Sequence, residues 1–287
     1  MTHHFNAQTI NCKNIAAGVQ ALREGGFAAW YTAQVALFNH DHQNFTMSDY
    51  AEFASRTQRA QLPLASTQDL VDYSVLYSAD HFARFTELLS QLKANSSQQG
   101  LCVEPIQLKV FDYGCGQGLA SLALMQHLAG RQVSIELHLV EPSALALQAA
   151  VAYTQAQAQH HGIQLQVHAH HCGLDQLPDQ LFTLQPQQSA VHLFSNVLDL
   201  ASAGHFQLST LLNQLHKMQG KHLCLAVSPT YWSGKLGFDL LKYAFPQARS
   251  WVDSESLSAT SHSFRLGHGM QYRNIQGRAF AAQFRVA

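Results

Sequence analysis

The stretch FDYGCGQG, residues 111–118, follows the short run Leu108-Lys109-Val110 and precedes LASLALMQHLA (119–129). Three glycines alternate with other residues, and Asp112 stands two places before the first. A strand that breaks into such a turn and then enters a helix can bring its backbone close to a ligand. The phosphate-binding P-loop is excluded, because Gly118 is followed by Leu119-Ala120 where that loop needs Lys and Ser or Thr. A dinucleotide fingerprint, G-x-G-x-x-G, would need its third glycine where Leu119 stands, so a nicotinamide enzyme is the weaker fit.

Outward from this turn the pattern alternates. Strand-like LKVFDY (108–113), SIELHLV (134–140), IQLQVHAH (163–170), AVHLFS (190–195) and HLCLAVS (222–228) take turns with helix-like 119–129, 143–159, 206–218 and 235–245. Strands separated by helices predict βαβ units on a parallel sheet. The tail carries SWVDSESLSA and GRAFAAQFRV with no helix between, which predicts an antiparallel C-terminal hairpin at the sheet edge. Upstream, residues 13–60 read as helix interrupted at Gly25-Gly26, with Ser48 as a cap for a further helix, and Ser66 opens the long pattern TQDLVDYSVLYSADHFARFTELLSQL. A polar stretch from Lys93 to Gly100 predicts the boundary between a helical N-terminal segment, 1–95, and the main domain, 96–287.

The chain has 287 residues, 47% of them hydrophobic, with 17 Lys+Arg against 18 Asp+Glu. A near-neutral chain has no global field to gather nucleic acid. The five cysteines include no C-x-x-C pair, the polar N-terminus lacks a signal-peptide core, and the apolar run FAAWYTAQVALF (27–38) is too short to span a bilayer. These features lead to the expectation of a cytoplasmic protein without membrane association. The 18 histidines are expected as a histidine-rich surface and not as a metal centre, since no run has the spacing of a zinc site.

The motif Asp112-Tyr113-Gly114-Cys115-Gly116-Gln117-Gly118 resembles motif I of class I S-adenosylmethionine-dependent methyltransferases. The second strand ends Val140-Glu141-Pro142, the third runs into Cys172-Gly173-Leu174-Asp175, and the fourth ends Ser195-Asn196-Val197-Leu198-Asp199, in the order that superfamily uses. The resemblance implies a Rossmann-like, doubly wound α/β fold with a mostly parallel seven-stranded sheet. It also implies S-adenosyl-L-methionine as cofactor. Gly114, Cys115, Gly116 and Gly118 would approach it, Glu141 beside Pro142 would accept from the ribose hydroxyls, and Asp175 would meet the adenine amino group. Asp112 either contacts the ligand or braces the loop. Ser195, Asn196 and Asp199 are candidate acceptor-pocket and catalytic residues, and Ser195 and Asn196 also border the cofactor. Tyr231 and Trp232, after the fifth strand, are candidate walls for the acceptor.

Tyr73, Tyr77, His81 and Arg84 fall at steps of four, four and three, on one helical face. Such a face either packs on the main domain or closes over the cofactor, with Tyr77 beside it and Arg84 on its carboxylate. The segment DYSVLYSADHFARFTELL is also similar to the lead-in helix of a ribosome-associated methyltransferase-like family, whose cysteine-rich metal-binding segment this chain lacks. Arg265, Arg273, Arg278 and Arg285 are candidates for a basic patch suited to RNA. The expected function is methyl transfer to RNA or a small molecule, and the alternative is a non-catalytic cofactor-binding module. The DPPY-type segment of amino-group methylases and the cysteine of cytosine C5 methylases are both absent after strand four.

Overall fold

The structure, a computed structural model, describes residues 13–286 apart from residue 43 and the segments 59–60, 96–105, 186–187 and 231–233. Three N-terminal helices, α1 (Lys13–Asp41), α2 (Met47–Arg56) and α3 (Thr67–Asn95), precede the sheet. The sheet strands are β1 (Ile106–Tyr113), β2 (Val133–Val140), β3 (Gln164–His170), β4 (Ser189–Ser195), β5 (Gly220–Ser228), β6 (Arg249–Arg265) and β7 (Gly269–Val286). Between them lie α4 (Leu119–His127), α5 (Ala144–His161), the short α6 (Leu198–Ser202), α7 (Leu208–Leu215) and α8 (Gly234–Ala244). The strand order is β3-β2-β1-β4-β5-β7-β6. The first five strands pair in parallel, whereas β7 runs antiparallel between β5 and β6. This is the doubly wound sheet with a terminal antiparallel hairpin that the alternating pattern predicts.

Period-two alternation sorts the two faces. Leu108, Val110, Ile135, Leu137, Leu139, Val191 and Leu225 point into a core shared with α1, α3, α4 and α5. Phe111, Tyr113, Phe194, Cys224 and Phe280 point into the opposite core, filled by α6, α7 and α8. The N-terminal helices therefore contribute to the same apolar cluster as the sheet, with Trp30 and Phe85 fully buried in it. The helical path of α1 breaks at Gly25 and Gly26 as expected. Ser48 does not cap α2. Thr46 does, because its hydroxyl accepts from the Asp49 amide while the Asp49 carboxylate accepts from the Thr46 amide. Among the described residues no helix is long and apolar enough to cross a membrane.

The expected histidine-rich surface is corrected by the second face. His138, His192 and His222 are buried, at 2%, 0% and 1% exposure. Strand pleat and register put His168, His138, Phe111, His192, His222 and Phe284 in a row on one face across six strands, with His222 two residues out of register with His192 and Phe284 on the antiparallel β7. Their ring centroids lie 4.7–5.5 Å apart, with planes within 16° of parallel. The hydrogen bonds fix the tautomers. His222 Nε2 donates to Met218 O at 2.6 Å, so its Nδ1 accepts from His192 Nε2 at 3.1 Å, and His192 Nδ1 accepts from the Tyr113 hydroxyl at 3.0 Å. Burial holds His192 well below the usual histidine range and His222 at about 4, so both rings are neutral at pH 7.

Candidate functional site

The turn after β1 is built from left-handed backbone. Gly114 has φ +61° and Gly116 φ +52°, conformations that cost an L side chain on the order of 1–2 kcal/mol. The two glycines differ in surroundings. A Cβ on Gly114 would lie 2.8 Å from Val197 Cγ2, whereas a Cβ on Gly116 would meet nothing within 4 Å. Gly114 is thus required by packing against the segment after β4, and Gly116 presents its backbone to open space. Gly118, at φ +80°, packs against α5 and begins α4. Cys115 is buried, and its amide donates to Val140 O at 3.0 Å, which fastens the loop to the end of β2.

Asp112 braces the loop. Its Oδ2 accepts from the Ser121 amide at 3.3 Å and the Ser121 hydroxyl at 2.7 Å, supplying the cap that Gly118 cannot give α4. Burial pushes its carboxyl up to about 6.

Glu141 lies just past β2, at 8% exposure. Its Oε2 accepts from the Gly116 amide at 3.0 Å and its Oε1 from the Ser143 amide at 2.9 Å. Each carboxylate oxygen keeps acceptor capacity after one such bond. Burial raises its carboxyl above the usual range, while the two amides oppose the rise. Pro142 is exposed, and its carbonyl accepts from His171 Nε2 at 2.9 Å. Asp175 is half-buried and accepts from the Gln207 amide at 3.1 Å, so one of its oxygens is engaged at the start of α7.

The segment after β4 closes the far side. Asn196 has φ +57°, rare for a residue with a Cβ, and its amide donates to Val227 O at 2.8 Å. Its Nδ2 donates to Ser195 Oγ at 3.0 Å. Asn196 Oδ1 and Asp199 Oδ1 are buried without a hydrogen-bond partner among the described residues. Burial raises the Asp199 carboxyl, although its first-turn position in α6 opposes the rise.

Helix α3 lies across this end of the sheet. The Tyr73 hydroxyl and His81 Nδ1 share a hydrogen bond at 3.1 Å, the Tyr77 ring lies 5.4 Å from the Tyr73 ring at a 52° tilt and 6.3 Å from the His81 ring at 21°, and the Tyr77 and Tyr50 hydroxyls meet at 3.4 Å. Burial raises the Tyr73 hydroxyl far above its usual value, and the neighbouring carboxylates of Glu141 and Asp199 raise it further. His81 is held near 3 by burial and by Arg84, so its ring is neutral. Arg84 is buried, and its Nε donates to Gln276 O of β7 at 3.0 Å.

Three contributors escaped the sequence reading. Gln117, fully buried, donates from Nε2 to Leu70 O at 2.9 Å and accepts from Ser74 Oγ at 2.8 Å, which ties the glycine loop to α3. Ser143 Oγ donates to Leu64 O at 3.0 Å, a second stitch between the β2 end and the lead into α3. Tyr50 comes from α2. Tyr231 and Trp232 lie outside the described residues. Two members of the expected basic patch have carboxylate partners. Arg273 pairs with Asp80 of α3, and Arg278 pairs with Glu255 of β6 at 3.0 Å, so carboxylates compensate two of the four arginines.

No protein-family model matches the chain, and no curated protein matches it. Solved structures of similar chain course include the plantazolicin methyltransferase in complex with SAH, at 12% identity over 94% of this chain and 99% of that one, with a TM-score of 0.43. Geranyl diphosphate C-methyltransferase from Streptomyces coelicolor A3(2) shares 11% identity over 69% of this chain and 78% of its own, with a TM-score of 0.35. The [4+2]-cyclase SpnF shares 12% identity over 70% and 81%, with a TM-score of 0.40. Likeness at this level carries no weight for function, and the site has to be read from its own geometry.

Proposed function

We propose that the chain binds S-adenosyl-L-methionine and transfers its methyl group to a small-molecule acceptor. One observation carries the reading: the open-facing backbone of Gly116 lies beside the buried Glu141 carboxylate, at the carboxyl ends of β1 and β2. Adjacent β1 and β4 connect to opposite sides of the sheet order, which is the place where doubly wound folds bind ligands.

The residues present fit the group. Gly116 leaves room where a Cβ would intrude. Glu141 keeps acceptor capacity for a pair of hydroxyls. The orphaned Asn196 Oδ1 and Asp199 Oδ1 supply acceptors for an amine or for the incoming nucleophile's proton. When bound, the cofactor supplies a methyl group activated on a sulfonium. The chain's part is alignment. Gly114 and Gly116 set the loop, and Glu141 orients the sugar and holds the loop through the Gly116 amide. Tyr73 and Tyr77 wall the space from above, and Asp199, raised by burial, is the group suited to take a proton. In this reading the helical segment 1–95 covers the cofactor site of domain 96–287. Ion pairing of Arg273 and Arg278 favours a small acceptor over RNA. The free thiols of Cys115, Cys172 and Cys224 suit a reducing, cytoplasmic setting.

The test is calorimetry with S-adenosylhomocysteine and with NADH, followed by labelled-methyl transfer into fractionated cell extract. Binding of S-adenosylhomocysteine alone, with label entering a low-mass fraction, is the expected result. Tight NADH binding without S-adenosylhomocysteine binding would overturn the cofactor. Binding without turnover would favour the non-catalytic module.

A further inference from the structure

The connection from β3 to β4 contains, among its described residues, one 3-10 turn (Asp179–Leu181) and no α-helix. The second face of the sheet is therefore left partly uncovered over β2 and β3, and every residue from Leu165 to His170 except Gln166 is half-buried. Period-two alternation puts Glu136 and His138 of β2 and His168 and His170 of β3 on this open face, and register places His138 directly beside His168. The His138 and His168 rings lie 4.7 Å apart and 14° from parallel. Glu136 Oε1 lies 2.9 Å from His138 Nε2, and one ligand atom from each of Glu136, His138 and His168 falls within 4.8 Å of the others.

We infer that Glu136, His138 and His168 form a divalent transition-metal site of the zinc class, clipping the edge strand β3 to β2. Two imidazoles and one carboxylate favour zinc over magnesium or calcium, which prefer all-oxygen sets. A tetrahedral zinc with bonds of about 2.0–2.1 Å brings its ligand atoms to about 3.4 Å separation. The three ligand atoms, within 4.8 Å of one another, have to close to that separation, with the His168 ring turning out of its near-parallel stack on His138 so that both rings aim a nitrogen at one ion, and a water completes the set.

The surroundings fit a bound ion. His138 Nδ1 lies 3.0 Å from His170 Nε2, so with Nε2 on the metal, His138 donates from Nδ1 to His170 and its tautomer is fixed. Gln188 Nε2 donates to Glu136 Oε2 at 3.0 Å and orients the carboxylate. Lys109 opposes a dication, lying 3.3 Å from Glu136 Oε1. Its ammonium also donates to Thr183 O at 3.2 Å, and the Glu136 carboxylate has to stay between the two cations to offset both. Glu136 also lines a recess with Gln164, Gln166 and Gln188, which opens its carboxylate to solvent.

The full-length chain, stripped with chelator, is titrated with zinc chloride by calorimetry and with cobalt(II) by visible absorption. One zinc per chain and a tetrahedral cobalt spectrum are expected. His168→Ala should weaken zinc about a hundredfold or more and Glu136→Gln about tenfold or more, while His40→Ala, at an exposed histidine beside Asp41, should leave affinity unchanged. Both altered positions are half-exposed, and the Glu136→Gln result alone decides the matter where His168→Ala lowers the melting temperature sharply. No stoichiometric zinc, or zinc held equally by wild type and Glu136→Gln, would overturn the site.

Discussion

Replacing Glu141 with alanine tests the candidate site most directly, because its carboxylate has two separable duties. One is structural: it accepts the Gly116 and Ser143 amides at 3.0 and 2.9 Å. Removing it leaves two N–H groups in a largely buried place, at roughly 1–3 kcal/mol for each that water does not reach. The other is ligand binding. Hydrogen bonds from two ribose hydroxyls to a charged acceptor are worth about 1.5–3 kcal/mol each, so about 3–6 kcal/mol of binding is at stake. At about 1.4 kcal/mol per tenfold, the lower end is about a hundredfold in affinity for S-adenosylhomocysteine. The assay pairs calorimetry with a thermal melt, and Asp179→Asn, at an exposed carboxylate outside the site, serves as a control. A Glu141→Ala chain that melts cooperatively near wild type and binds within threefold of it would refute the ribose role. A chain that binds weakly only in proportion to its unfolded fraction would show the carboxylate to be a loop brace alone.

Further expectations follow from the same geometry. Gly114→Ala should cost more stability than Gly116→Ala, since both incur left-handed strain but only the former meets Val197 at 2.8 Å; Gly116→Ala should instead weaken S-adenosylhomocysteine binding, and the reverse order in paired melts and titrations would count against the loop assignment. Asp112, raised to about 6 from 3.8, keeps its proton in the folded chain between those values while the unfolded chain loses it. Its contribution to stability therefore falls as pH rises through about 4 to 6, by about 3 kcal/mol at most. Subtracting the pH–stability curve of Asp112→Asn from that of wild type should isolate this step, and a flat difference would contradict it. Gln117→Ala should destabilise by about 1–3 kcal/mol in denaturant melts by removing the two bonds that tie the glycine loop to α3, although Leu70 O and the Ser74 hydroxyl keep each other at 2.7 Å, and a neutral result would mean that α3 is not held through this residue.

What the sequence made legible was local. The glycine turn, the acid that ends β2 and the helix after each strand are written within a few residues of one another, in periods of two and 3.6 that a single element imposes. The terminal hairpin was legible for the same reason, as strand-like residues with no helical stretch between them. What stayed hidden depends on partners far apart in the chain. Gln117 reaches a carbonyl 47 positions away, and in a chain with many glutamines nothing marks this one as buried. Arg273 looked like one member of a basic run, but its counter-charge, Asp80, stands 193 positions upstream on another element. The histidines make the same point more strongly. His138, His168, His192 and His222 lie on four strands, and no spacing along the chain relates them. Strand register sets His168 beside His138, side-chain contact joins His192 to His222 from two residues out of register, and a one-residue slip of β2 would turn His138 from this face to the other. The inward alternation of Ile135, Leu137 and Leu139 forbids that slip, since it would expose all three leucine-type side chains while burying Glu136. The apolar residues on one face of β2 thus hold the ionisable ones in place on the other. The candidate metal cluster is in that sense a product of the hydrophobic core, invisible until the register is known.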